Sequence, residues 1–489
     1  MKLTELIAGD FFLPPEWNRE FNHIVTDSRD VQKGDVFIAR RGLSVHGDEY
    51  IQAAIANGAV AVLAEGDMGF RCESSPHFPM VPVFLAPEVG SHLQQWLYRR
   101  YDPSAMQLIA VTGTNGKSSV TQYIAQLAEL CGVPCGVLGT LGNGRWGDLQ
   151  PTRNTTADLA VILRQLEQLQ QQGVNLVALE VSSHGLQQER VAGLSFAVSV
   201  LTNITQDHLD YHGSMEQYVA AKRRLFTDYS AAHALINTEG EYGRLLAAGK
   251  NLRAPVTTYG HDTDAQIRYQ LLALDMQGMH AELTTPWGIA QLVLPLIGEF
   301  NLANVCAAIT VLSWQGQDFN ALCAAASRLQ AVAGRMELYV KDNAPLAVVD
   351  FAHTPDALRN VLEALRAWQR PLTTVFGCGG ERDRSKRPLM AAVVKELSQQ
   401  VWLTDDNPRH ENPQQIFNDV LAGVAGINTE HDRRQAIVKA LAATTTDGIV
   451  LIAGKGHEHY QDIAGVKHPY RDADVLLQQG YRRAGVQHA

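Results

Sequence analysis

A glycine loop set between a strand and a helix limits what this chain can fold into. Residues 108–111 are an apolar run, and Thr112-Gly-Thr-Asn-Gly-Lys-Ser-Ser119 follows. Apolar residues then recur at helical spacing, at Val120, Tyr123, Ile124, Leu127 and Leu130. Such a turn aims several backbone N–H groups at one anion, and the helix N-terminus adds partial positive charge. Gly113 and Gly116 permit the tight turn, Lys117 can reach the outer phosphates, and the Ser118 hydroxyl can take Mg²⁺. Gly113 is only three residues before Gly116, shorter than the usual phosphate-loop spacing. The flanking strand and helix outweigh that departure, and ATP is the ligand they imply. The competing reading is a tight βα turn with an exposed lysine.

The 489 residues are too many for one ordinary core and predict two to four domains. Forty-one basic against 51 acidic side chains give a net charge of −10. That balance argues against a nucleic-acid or membrane-surface binder. Basic residues do cluster at 382–387 and 433–434, which suits small anionic ligands. The six cysteines form no Cys-x-x-Cys pair and read as free thiols of a reducing compartment. The first residues carry no apolar leader, and no run approaches the ~20 apolar residues that span a bilayer. The expectation is a cytoplasmic protein.

The fold class read from the pattern is α/β in three domains. Residues 1–88 form a small α/β unit, with strands at 36–39 and 60–64 around a helix at 51–57. The proline-rich stretch 76–87 marks its boundary. Residues 89–335 hold the glycine loop in a mostly parallel sheet, with further strands at 176–179 and 196–201. Within them, 265–294 alternates and turns at Gly278 and Gly288, which suggests a small antiparallel sheet. Residues 336–489 alternate again, with strands at 346–349, 373–376, 401–403 and 449–452. Each of those strands ends in a polar or glycine-rich turn, and in open α/β sheets ligands bind outside the carboxyl ends.

Several side chains carry chemistry. Glu180 ends an apolar strand, the usual place of a carboxylate partner to a phosphate-bound metal. Asp207-His-Leu-Asp-Tyr-His212 is rich in ligand types but lacks zinc spacing; His208 suits a metal or water contact, and His212 reads equally as a plain loop residue. Ser214 and Gln217 form a capping box for the next helix, whose inward stripe contains Lys222. An inward lysine is costly unless it is paired, modified or snorkelling. Asn301 reads as the N-cap of a helix covering 305–312, and Asn304 could reach a purine. Arg335 stands where it could clamp a phosphoryl group, or simply serve a hinge.

Taken in order, Thr-Gly-Thr-Asn-Gly-Lys, Glu-Val-Ser-Ser-His-Gly, Asp-His-Leu-Asp, Ala-Ala-Lys, Gly-Arg-Met-Glu, Asp-x-Ala-His-Thr-Pro and Asp-Asn-Pro-Arg resemble the Mur ligases over essentially the whole chain. Within that family the motifs are most similar to those of ligases that add meso-diaminopimelate to UDP-N-acetylmuramoyl-L-alanyl-D-glutamate. The resemblance implies a UDP-binding first domain, an ATPase-like centre and a Rossmann-like third domain. It implies amide formation driven by ATP through an acyl phosphate, on small-molecule substrates, by a monomer. The nucleotide would meet Gly113, Thr114, Asn115, Gly116, Lys117, Ser118, Ser119, Asn304, Arg335 and Asp350. Ser118, Glu180, His208 and Lys222, the last as a CO₂-derived carbamate, would hold Mg²⁺. With Lys117 and Arg335, these make up the implied catalytic set. The UDP substrate would meet Thr26, Ser28, Leu43, Ser44, Val45, Asn154, Thr155, Thr156, Ser182, Gln188 and Arg190. Diaminopimelate would meet Arg382, Asp406, Asn407, Pro408, Arg409, Gly454 and Glu458.

Arg409 offers a planar fork for the second carboxylate that distinguishes diaminopimelate from lysine. Its alternative is an ion pair with Asp405 or Glu411. Ser118 stands where the family usually has threonine, Phe351 where tyrosine is usual, and Glu381 replaces a common aspartate. The competing functions are the same ligase using L-lysine, a folylpolyglutamate-type ligase, and a non-catalytic nucleotide-binding relative.

Overall fold

A computed structural model describes residues 1–10, 13–41, 46–275 and 278–484. Three sheets follow one another along the chain, and the alternation of apolar residues explains each. In strand Val36–Ala39 all four side chains are buried. Val36 and Ile38 join the core under helices Leu3–Ile7 and Val89–Arg100, whereas Phe37 and Ala39 join the core under helix Ile51–Asn57. Period-two burial on both faces is what a parallel strand sandwiched by helices requires.

The first sheet runs Ile24–Val25, Val36–Ala39, Ala61–Glu65, Val81–Ala86 and Gly69–Glu73, antiparallel only at the last pair. The strand Val81–Ala86 lies inside the proline-rich stretch that the sequence suggested as a boundary. Pro82 sits near its start, where a missing N–H is tolerated. Helix Val89–Arg100 is tied back to the N-terminus by Arg99 and Trp96, which both donate to Asp10.

The second sheet has eleven strands, with the glycine-loop strand Gln107–Thr112 between Phe196–Leu201 and Leu176–Glu180. Leu108 and Ala110 face one core, and Ile109 and Val111 face the other. Strands Ile267–Asp275, Gly278–Thr285 and Gly288–Leu294 form the expected antiparallel meander. It is no separate sheet: Tyr259 and Gly260 pair with Ile267 and Arg268 and continue the central one.

The third sheet places Leu346–Asp350, Ile449–Ala453, Leu372–Phe376 and Gln400–Leu403 side by side in parallel. Strands Glu337–Val340 and Arg482–Arg483 close one edge antiparallel. A separate hairpin, Tyr460–Ile463 with Val466–Pro469, lies beyond the sheet. The second and third domains meet closely at Gly334 (φ +65°). A Cβ there would fall 2.1 Å from the backbone nitrogen of His457. Among the described residues no helix is long and apolar enough to cross a membrane.

Candidate active site

The carboxyl ends of the second and third sheets border one cleft of about 280 Å³. On one side stand Thr114 to Ser118, Thr140, Glu180, Asp207 and His208; on the other, Arg335, Phe351, His353, Lys386 and the turns after three strands of the third domain.

The glycine loop is shaped by close approach. Gly113 has φ +150°, and a Cβ on it would meet Thr202 Oγ1 at 1.9 Å, so glycine is required there. Asn203 Oδ1 accepts the backbone N–H of Asn115 at 3.0 Å, and Thr202 Oγ1 donates to the Asn115 carbonyl at 2.5 Å. The loop then enters helix Lys117–Leu130. Lys117 Nζ is folded back on the carbonyls of Gly113 (2.8 Å) and Thr114 (2.9 Å).

Behind the loop, Glu180 is buried at its strand end and accepts from Ser118 Oγ at 3.0 Å and from Thr140 N at 2.9 Å. Burial raises the Glu180 carboxyl and lowers the Lys117 ammonium, while their mutual attraction opposes both shifts. Asp207 is surrounded by His208, His353 and Lys386. Burial would raise it, but those neighbours outweigh burial and hold it below the usual carboxylate range. Burial drives His208 down, so its imidazole is neutral, and its backbone is left-handed (φ +54°). The hydroxyl of Ser118 and the carboxylate of Glu180 beside loop N–H groups are hard oxygen donors that suit Mg²⁺ on a triphosphate.

Lys222 lies beneath the loop on helix Met215–Thr227, 1% exposed. Ser214 Oγ caps the helix by accepting from Gln217 N at 3.3 Å. Lys222 Nζ donates to the Gly113 carbonyl at 2.8 Å and packs over the Tyr218 ring at 4.7 Å. Burial, then the nearby Lys117, pulls its pKa well below the ordinary lysine value.

Asn301 is not an N-cap. Helix Glu299–Trp314 begins earlier, and Asn301 is buried in its first turn, donating to the Ile297 carbonyl at 2.8 Å. Asn304 presses on the loop: a Cβ at Gly116 would meet its Oδ1 at 2.7 Å. Arg335 stacks over Phe351 at 4.5 Å, and Asp350 below it fixes the turn by accepting Met336 N (2.8 Å) and Ala352 N (2.7 Å).

Across the cleft, Arg382, Asp406, Asn407, Arg409, Gly454 and Glu458 line the wall. Arg409 makes no ion pair with Asp405 or Glu411. His431 takes Asp405, and the buried Arg387 takes Glu411. The Arg409 guanidinium instead rests on the carbonyl of Gly380.

The Mur ligase middle domain matches residues 111–312, the Mur ligase glutamate ligase domain 334–456 and the Mur ligase catalytic domain 20–78. The UDP-N-acetylmuramoyl-L-alanyl-D-glutamate–2,6-diaminopimelate ligase of Pseudomonas syringae pv. tomato is 43% identical over 92% of this chain and 93% of its own length. The ligase of the same name in Chromobacterium violaceum is 41% identical over 97% of both chains. This chain belongs to the Mur ligase family. A solved structure of a ligase with that name superposes with a TM-score of 0.65 at 35% identity, covering 98% of each chain. The folylpolyglutamate synthase of Mycobacterium tuberculosis shares the fold, with a TM-score of 0.61 at 19% identity over 74% of this chain and 91% of its own.

Of the remaining positions that the Mur ligase resemblance singled out, Thr26 and Asn154 line a second cavity of about 290 Å³ between the first and second domains. Arg153 crosses its mouth to Asp27 (2.8 Å) and Asp30 (3.0 Å). Ser28 is buried, and its carbonyl accepts from Asn57. Thr155 lines the main cleft, and Thr156 Oγ1 lies 3.1 Å from Ser182 Oγ. Arg190 ties this group together, donating to the Thr156 carbonyl and to Gln188 Oε1. Segment 152–156 thus joins the two cavities. Leu43, Ser44 and Val45 lie outside the described residues. Pro408 stands behind the wall, its carbonyl accepting from Glu411 N. Ser119 is buried in the first helical turn. Sequence reasoning passed over His353, Lys386 and Lys455; only the basic cluster at 382–387 hinted at the second.

Proposed function

We propose that this Mur ligase joins meso-2,6-diaminopimelate to the D-glutamate carboxylate of UDP-N-acetylmuramoyl-L-alanyl-D-glutamate, with ATP converted to ADP and phosphate, in peptidoglycan precursor synthesis. The observation that carries the choice of amino acid is Arg409. It lines the same cleft as Lys117, and no carboxylate among the described residues neutralises it. Relatives 41–43% identical over nearly the whole chain carry the same substrate pair in their names.

In this reading, the dipeptide carboxylate oxygen bonds to the γ-phosphorus as the bond to ADP breaks. The free amine of diaminopimelate then adds to the acyl carbon, loses a proton, and phosphate leaves. Lys117 turns from the Gly113 and Thr114 carbonyls to the phosphates, and Arg335 neutralises the transferring group. Ser118, Glu180 and His208 would hold Mg²⁺, which would supply charge neutralisation and alignment. Burial shifts Lys222 toward the free amine, whose lone pair can add to CO₂; the product is a carbamate anion and a proton. Thr26, Asn154, Thr155, Thr156, Ser182, Gln188 and Arg190 receive the UDP-sugar-dipeptide, and Arg382, Asp406, Asn407, Arg409, Gly454 and Glu458 receive diaminopimelate. Both walls of the cleft come from one chain, which suits a monomer; cytoplasmic action follows from the proposed precursor substrates alone.

Phosphate release from ATP and Mg²⁺ with the UDP-dipeptide tests this directly. Release with diaminopimelate and not with L-lysine, with the tripeptide product by mass, supports the reading. Equal release with L-lysine overturns the selectivity, and no release with either overturns the reaction.

A further inference from the structure

Lys455 has no exposed surface, although it lies two residues beyond strand Ile449–Ala453 at the wall of the cleft. An ammonium has three N–H donors. Here they meet three acceptors: Asp406 Oδ1 at 3.3 Å, Asn407 Oδ1 at 3.0 Å and Glu458 Oε2 at 2.9 Å. Asp406 and Asn407 follow one strand and Glu458 another, so a single buried cation ties two turns together. A buried charge is tolerable only when it is paired and hydrogen-bonded in this way.

The same contacts orient Asn407. Its Oδ1 also accepts Asp462 N at 2.9 Å, and its Nδ2 donates to Glu458 Oε2 at 2.8 Å. Glu458 Oε1 has no protein partner among the described residues, and Glu458 lines the cleft. Two carboxylates and one ammonium leave a net charge of about −1 on this network, beside the Arg409 guanidinium. The distal carbon of diaminopimelate carries one ammonium and one carboxylate, which match that pair of opposite charges. The distal end of L-lysine carries an ammonium alone.

We propose that Lys455 is a positioning residue that sets amino-acid selectivity, by fixing Asn407 and Glu458 and by limiting the negative charge beside Arg409. The inference rests on the reaction proposed above. Without Lys455, two carboxylates share the wall with no cation between them. Glu458 then moves, and a ligand that brings only an ammonium gains relative to one that also brings a carboxylate.

The test is Lys455→Met, with steady-state constants for diaminopimelate, L-lysine and ATP. KM for diaminopimelate should rise about tenfold or more, with KM for ATP held within about twofold, as for loss of a buried charge-assisted contact on one substrate only. The kcat/KM ratio of diaminopimelate to L-lysine should fall. Added to Glu458→Gln, Lys455→Met should cost less than it does alone, since part of its effect runs through Glu458. An unchanged KM for diaminopimelate, equal rises for diaminopimelate and ATP, or a fully additive double variant would overturn the proposal. If Lys455→Met does not fold, Lys455→Arg is read by the same criteria, because it keeps the charge and loses the three-acceptor geometry. Absence of diaminopimelate-dependent turnover by the unaltered protein would instead sink the proposed reaction.

Discussion

Lys222 and Lys117 share one acceptor: both Nζ atoms lie 2.8 Å from the carbonyl oxygen of Gly113. Two full positive charges so close together in a buried pocket repel strongly. The deeper lysine yields, and burial with its neighbour's charge pulls the Lys222 pKa well below the ordinary lysine value. That shift favours the free amine, the form able to react with CO₂.

Lys222→Ala should therefore lower kcat about 100-fold, the scale set by losing a group that supports a metal. Short carboxylates such as formate or acetate should restore part of it, and CO₂-depleted buffer should depress the unaltered enzyme. Full activity of Lys222→Ala would remove the carbamate from the mechanism.

Arg409→Lys keeps the charge and loses the fork. It should cost about 2 kcal/mol, or thirtyfold, in kcat/KM for diaminopimelate, the low end for a truncated charge pair at an interface. Activity with L-lysine should be left little changed. A competition assay with both amino acids reads the ratio in one experiment, and an unaltered ratio would sink the assignment.

Arg433 and Asp472 are both fully buried, joined by two contacts of 2.8 Å, and Arg433 also donates to the Ala453 carbonyl at the strand end. Asp472→Asn leaves the guanidinium uncompensated and should destabilise the third domain by about 3 kcal/mol. Denaturant melts with and without the substitution measure this; a shift in midpoint below what about 0.5 kcal/mol gives would contradict it.

Burial lowers His184 from 6.5 to about 4. Between those values the unfolded chain binds a proton that the folded chain refuses, so stability falls as pH drops from 6.5 toward 4. Chemical-denaturation midpoints across that window should decline, and His184→Gln should flatten the decline. An equally steep slope in the variant would assign the effect to other groups.

Much of the fold could be read in advance because it depends on local pattern. The glycine loop, the inward Lys222 and the strand ends of the third domain all follow from spacing and terminators. Val81–Ala86 was hidden because Pro82 and the prolines around it mimic a boundary, and pairing with Ala61–Glu65 and Gly69–Glu73 rescues it. Asn301 has the side chain of a cap, but its helix starts two residues earlier at Glu299, and tertiary packing of an all-round apolar helix decides that. Arg409 had two carboxylates within reach in sequence, and their capture by His431 and Arg387 is a long-range outcome. Lys455 gave no signal, since two of its three acceptors, Asp406 and Asn407, lie on another strand end.

Gly334 carries a consequence of its own. With His457 N only 2.1 Å from where a Cβ would sit, the turn that carries Arg335 and the turn that carries Glu458 are seated together by a missing carbon. A single methyl at this seam would act as a shim, prising the Arg335 turn from the Glu458 turn while leaving every binding side chain in the sequence. Gly334→Ala would thus separate two quantities that are otherwise measured together: how well each substrate is held by its own wall, and how well the walls bring them within bonding distance.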